Sequence, residues 1–154
     1  IRKVVDWMDQ RKLHVWQPVK NWVEGNITEA NFNFSDEKGL CIRLIDIKGN
    51  SVDIIYDKIS NIQDYVWSFR YAGEIPRSDL TPAVQEAYKR ASNIDKTAAC
   101  FYKMTNSDFI EWFDQLGWLG SNEIPNVEHH LYIYNDGVFE VISDYEPKFV
   151  INKK

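Results

Sequence analysis

Leu40, Ile42 and Leu44 alternate with Cys41, Arg43 and Ile45. After Lys48-Gly49-Asn50-Ser51 the alternation resumes at Val52, Ile54 and Tyr56. A period of two on both sides of a turn-forming run predicts a β-hairpin. Asn33 between Phe32 and Phe34 predicts a half-buried strand upstream of it. Tyr65, Trp67, Phe69 and Tyr71 repeat at the same period, with Val66, Ser68 and Arg70 between them. That pattern predicts a strand with four rings on one face, whose role is core packing against helices. Ala98 to Met104 reads as a short strand. At the end of the chain, His130-Leu131-Tyr132-Ile133-Tyr134 leads through Asn135-Asp136-Gly137 into Val138-Phe139-Glu140-Val141-Ile142. Asp-Gly between alternating apolar runs is a strong hairpin signal.

Three segments carry helical spacing instead. Val4, Trp7 and Met8 predict a helix over 2–13, which Pro18 closes off by disfavouring helix at Gln17. Thr81-Pro82 predicts a helix over 82–91, with Thr81 as N-cap, Pro82 at the first position, and Val84, Ala87, Tyr88 and Ala91 as the apolar stripe. Asn106-Ser107-Asp108 opens a third helix over 107–116, with Asp108 and Glu111 spaced as a capping pair. Its buried stripe is Phe109, Trp112, Phe113 and Leu116, and Gly117 is the stop. Hairpin links force antiparallel pairing, and the strand–helix alternation of a doubly wound sheet is missing. The expected architecture is a single α+β domain over residues 1–154: one antiparallel sheet of about five or six strands with helices packed on one face.

Composition narrows the class. The chain has 154 residues, which suits one domain, since two would each be small and hard to stabilise. With 44% apolar and 14% aromatic residues it holds enough to build a core. No apolar run nears the ~20 residues that span a bilayer, so no membrane contact is expected. Ile1-Arg2-Lys3-Val4-Val5-Asp6 runs at once into charge and shows no signal-peptide pattern. Cys41 and Cys100 each sit in an apolar run without a CxxC spacing, reading as small core residues in a reducing, cytoplasmic compartment.

Charge then points to a partner. The formal net charge is −5, which disfavours a nucleic-acid binder, because phosphate contacts need clustered Lys and Arg. From Asn106 to Pro147 there is no Lys or Arg, while Asp108, Glu111, Asp114, Glu123, Glu128, Asp136, Glu140, Asp144 and Glu146 all fall in that stretch. Such a field is either a solvated face or one that steers a basic partner.

Candidate chemistry is thin. His129 and His130 are adjacent on a strand, so their side chains point to opposite faces and cannot easily share a metal. The expectation is one imidazole hydrogen-bonded in the core and the other at the surface. No HExxH, HxH or Cys/His cluster supplies ligand spacing, and no cofactor is expected. Ser107 becomes a nucleophile only with a base and an oxyanion hole beside it, and its place at a helix start explains a serine without catalysis. GxSxG, P-loop and GxGxxG patterns are missing, so no catalytic residue is assigned.

Three stretches carry a resemblance: Leu40–Asn50, Phe101–Phe113 and His129–Ile142. Together they resemble the small single-domain bacterial immunity-type proteins encoded beside polymorphic toxins, over roughly residues 40–147. The resemblance implies tight binding to one cognate toxin, blocking its active site or an adjacent surface. It transfers a class of function and no site.

The expected function is therefore a non-enzymatic protein-binding module that neutralises a basic toxin domain through an acidic, aromatic-rich surface. The residues expected to carry it are the acids Asp108, Glu111, Asp114, Glu123 and Asp136, with Trp118 and Tyr134 as aromatic anchors. Glu111 and Asp114 lie off the apolar stripe and should face solvent. Trp118, after the helix stop, is either exposed or folded back over the helix end. Two alternatives stand beside this one. The first is a small-molecule-binding or enzymatic domain with a pocket between sheet and helices. The second is a structural subunit with exposed Trp and Tyr at its interface.

Overall fold

The computed structural model describes residues 10–22, 25–118 and 120–154. Nine strands form two antiparallel sheets among them. The strands are β1 (Lys12–Trp16), β2 (Ile27–Ser35), β3 (Gly39–Asp46), β4 (Ser51–Tyr56), β5 (Ser68–Gly73), β6 (Phe101–Thr105), β7 (Glu128–Tyr134), β8 (Gly137–Ser143) and β9 (Lys148–Asn152). One sheet runs β1-β6-β7-β8-β5 and the other β2-β3-β4-β9. Helices α1 (Thr81–Arg90) and α2 (Asp108–Asp114) lie on the outer face of the five-stranded sheet.

The expected single sheet is thus corrected to two, stacked as a sandwich with helices as a third layer. Leu40, Ile42 and Leu44 of β3 and Val52, Ile54 and Tyr56 of β4 pack against Phe101, Tyr132, Phe139 and Val141 of the five-stranded sheet. The opposite face of that sheet takes a second core, where Leu13, Tyr102, Met104, Leu131 and Val138 meet Leu80 and Ala87. A third cluster joins Trp67 and Ile142 to Phe109 of α2. The five-stranded sheet is therefore covered on both sides, and every residue of β8 is buried.

Both expected hairpins are present. β3 and β4 pair from Leu40↔Tyr56 to Ile45↔Ser51, and β7 and β8 pair up to Tyr134↔Gly137 across the Asn135-Asp136 turn. At that turn the ring of Tyr71 packs over Gly137, in the space a Cβ would fill.

Several local expectations are overturned. Of the helix over 2–13, residues 2–9 lie outside the described residues. Gln10 and Arg11 are not helical, and Lys12 and Leu13 begin β1. The strand β9, pairing with β4, has no counterpart in the sequence reading. The N-cap of α1 is Leu80, because a 3₁₀ turn over Ser78–Leu80 runs straight into the helix and makes Thr81 its first residue. The four rings of 65–71 do not share a face. The regular strand starts only at Ser68, so Trp67 turns toward α2 while Phe69 joins the inter-sheet core. Tyr71 is left 45% exposed.

Candidate functional site

Helix α2 is built by its cap. Ser107 has extended backbone angles, and its hydroxyl accepts the Ile110 N–H (3.0 Å), satisfying one of the free donors of the first turn. The expected capping pair of Asp108 and Glu111 does not form. Asp108 is the first helical residue, and its carboxylate faces the guanidinium groups of Arg11 (3.7 Å) and Arg70 (3.9 Å).

The helix ends at Asp114, two residues short of the expected Leu116. Its buried residue is Phe109, with Ile110 and Phe113 partly buried. Trp112 and Leu116, expected in the buried stripe, are 49% and 57% exposed. Gly117 follows with φ +80°, a left-handed turn that suits glycine. Trp118 then folds back. Its indole N–H donates to the Phe113 carbonyl (3.1 Å), and its ring stands edge-on to Trp67.

The seven sequence-derived candidates separate into two groups. Asp108, Glu111, Asp114, Trp118 and Glu123 gather around α2 and the 3₁₀ turn Ser121–Glu123 that follows it. Tyr134 and Asp136 lie at the far end of the β7–β8 hairpin. There the Tyr134 and Tyr71 hydroxyls are 3.1 Å apart and the Asp136 carbonyl accepts the Glu74 N–H. Within the first group Asp108 is held by arginines, and Asp114 accepts both the N–H and the hydroxyl of Ser121, so it is half-buried rather than free. Glu111 and Glu123 are exposed, and no cation among the described residues pairs with either. Glu111, Trp112 and Gln115 line an open pocket of about 260 Å³ together with Asp108 and Arg70, and Leu116 and Glu123 are exposed in the segment that follows the helix.

Under this face lies an ionic cluster that the sequence reading missed. Arg70 grips Glu140 through two hydrogen bonds (2.9 and 3.0 Å) and lies over the Phe109 ring, 4.1 Å from its centroid. Asp79 binds Arg11 at 2.9 Å and approaches Arg77 at 3.5 Å, while Arg77 comes within 3.7 Å of Glu140. His129 completes it. The Glu140 carboxylate can only accept, so His129 Nε2 carries the proton and donates to it (2.9 Å). Nδ1 then accepts from the Ser107 hydroxyl (2.7 Å). Burial lowers the His129 pKa and keeps the ring neutral. Burial also opposes charge on Glu140, but hydrogen bonds from His129 and Arg70 outweigh it and hold its pKa at about 2.

His130 corrects the expectation of a surface imidazole, since both histidines are fully buried. It points the other way, into the inter-sheet core. Its Nε2 donates to Glu128 (3.1 Å) and its Nδ1 accepts from Tyr56 (2.7 Å), whose hydroxyl in turn accepts from Tyr132 (2.6 Å). Burial lowers its pKa as well. The two cysteines are half-buried rather than core residues, and burial pushes both thiols up, away from reactive thiolate.

Among the described residues no group of three or more His, Cys, Asp or Glu is arranged to hold a metal ion. No helix among them is long and apolar enough to cross a membrane. No protein-family model, curated protein or solved structure matches the chain.

Proposed function

We propose that this chain is a non-enzymatic, protein-binding module of the immunity type, acting in the cytoplasm by occluding a basic toxin domain. The observation that carries the reading is the α2 face. Trp112 and Leu116 stand half exposed, and the exposed carboxylates Glu111 and Glu123 pair with no cation among the described residues, in a stretch of sequence (106–147) without Lys or Arg. Tryptophan is enriched among residues that dominate binding energy, and surrounding charge of one sign speeds encounter with a partner of the other. Trp112, rather than the folded-back Trp118, is the anchor in this reading. Arg70 over the Phe109 ring and His129 on the Ser107 hydroxyl tie α2 to the sheet beneath it, which lowers the ordering cost of binding.

The direct experiment is binding of the purified chain to the toxic C-terminal domain of a secreted protein encoded immediately beside it. Biolayer interferometry is expected to give a stable one-to-one complex, and co-expression is expected to rescue cells from that domain. Absence of both removes the reading.

One observation favours the enzymatic alternative. Ser107, His129 and Glu140 follow one another in the order of nucleophile, base and acid. The capping bond from Ile110 and the complete enclosure of His129 account for the same geometry structurally, which places this reading second. Labelling of Ser107 by a fluorophosphonate probe, lost in Ser107→Ala, would reverse the order.

A further inference from the structure

Two stacked open sheets have four edge strands, here β1, β5, β2 and β9. An edge offers unpaired backbone groups to any other strand, and proteins blunt it with Lys, Pro, inward-pointing charge or shortness. Three of these edges are blunted. β1 is five residues long and carries Lys12; β9 is five residues long and carries Lys148. β5 turns Arg70 onto Glu140 of its neighbour. The fourth edge, β2, is nine residues long and contains no Lys, Arg or Pro. Its irregularity is confined to Ile27–Glu29, where the Ile27 carbonyl is taken by the Asn135 N–H, and Glu29–Ser35 has no second partner strand among the described residues.

The inward face of that run is apolar and partly exposed. Phe32 pairs with Ile42 and Phe34 with Leu40, so both rings belong to the inter-sheet side, yet they are 51% and 38% exposed. They lie against Phe69 of the β5 edge, beside which Tyr71 is also exposed. The β2 edge of one sheet and the β5 edge of the other therefore meet along one aromatic strip on one flank of the sandwich.

We infer that β2 is a homodimer interface, in which a second copy of this chain adds its own β2 in antiparallel register about a two-fold axis at Phe32. The sequence of β2 is complementary to itself in that register. Phe32 faces Phe32 of the second copy, and Ala30 and Phe34 face each other on the same side, continuing the aromatic strip across the axis. On the other side Asn31 faces Asn33 twice, pairing amides that both donate and accept. Glu29 falls opposite Ser35, so no like charges are opposed. The two four-stranded sheets become one continuous sheet of eight, and the isologous contact closes on itself. This interface lies in the outer layer, opposite α2, and does not depend on the proposed toxin-binding face.

Light scattering coupled to size exclusion, across micromolar concentrations, tests it. The expected mass is twice that of the chain, falling to the single-chain mass in Phe32→Lys, which sets two ammonium groups against each other on the axis. A single-chain mass for the unaltered protein at every concentration overturns the inference, and so does a dimer that Phe32→Lys leaves intact. Register is tested separately in a Cys41→Ser, Cys100→Ser background. Opposed Cβ atoms on antiparallel strands lie roughly 4.5–5.5 Å apart, close enough for a disulfide with small adjustment. Phe32→Cys is then expected to cross-link under mild oxidation while Asn33→Cys, facing Asn31, stays reduced. The reverse pattern overturns the assigned register.

Discussion

His129 and His130 are consecutive on β7, yet their imidazoles enter different cores. One is bound to Ser107 and Glu140 beneath α2, and the other to Tyr56 and Glu128 between the sheets. Each ring is neutral, buried, and proton-ordered by a carboxylate on one side and a hydroxyl on the other.

This arrangement sets the response to acid. Both histidines have folded pKa values below the 6.5 of the free side chain, so below that pH the unfolded chain binds more protons and stability falls. The slope approaches about 1.4 kcal/mol per pH unit for each imidazole. Glu140 works at lower pH: its contribution is full above 4.5 and is lost as pH falls toward about 2. Urea unfolding from pH 7.5 downward is expected to show a first decline below 6.5 and a further one below 4.5. His129→Gln, whose amide can donate to Glu140 and accept from Ser107, should make the first decline shallower.

Glu140 and Ser107 should differ in weight. Removing the Glu140 charge deprives buried His129, largely buried Arg77 and part-exposed Arg70 of their shared carboxylate, and breaking such a cluster costs about 3 kcal/mol. Ser107→Ala loses one capping bond and the donor to His129, worth about 1–2 kcal/mol. Denaturant midpoints of Glu140→Gln and Ser107→Ala should fall in that order.

Two glycines make a second ordered pair. Gly39 has φ +86°, and a Cβ there would run into the Tyr56 carbonyl oxygen, which is backbone and cannot yield. At Gly137 the obstacle is the half-exposed Tyr71 ring, which can swing away at the expense of its packing on Phe139. Gly39→Ala should therefore lower the melting temperature more than Gly137→Ala.

On the proposed binding face, Glu111→Lys with Glu123→Lys should slow association with the basic partner and flatten its salt dependence, leaving dissociation nearly unchanged. Trp112→Ala should instead speed dissociation, at a cost of about 2 kcal/mol or more. Stopped-flow and dissociation traces separate the two. Reversing Asp114 is a poorer probe than its helical position suggested, because that carboxylate holds the Ser121 turn.

What was legible in the sequence was local. The alternation at 40–56 and 130–142 located both hairpins with their turns, since turn chemistry and period two act over a few residues. The assignment of hairpins to two different sheets was not legible, because which strands become neighbours is decided by long-range packing. β1 was hidden by a helical spacing at Val4, Trp7 and Met8 that read across into Lys12 and Leu13. At the candidate site, the exposure of Glu111 was readable from helical spacing. That of Trp112 was not, because a seven-residue helix covers only a narrow strip of the sheet beneath it. The ionic cluster draws on residues from Arg11 to Glu140, a separation no spacing rule spans; its one local sign was an acid inside the otherwise apolar run 138–142.

The complete burial of β8 has a consequence for how the molecule comes apart. A strand that floors the helical layer on one side and the inter-sheet core on the other cannot release either layer without exposing the second. Its amides should therefore exchange with solvent deuterium only through global opening, at a rate that reports the whole molecule's free energy, while those of α2 exchange through local fraying well before it.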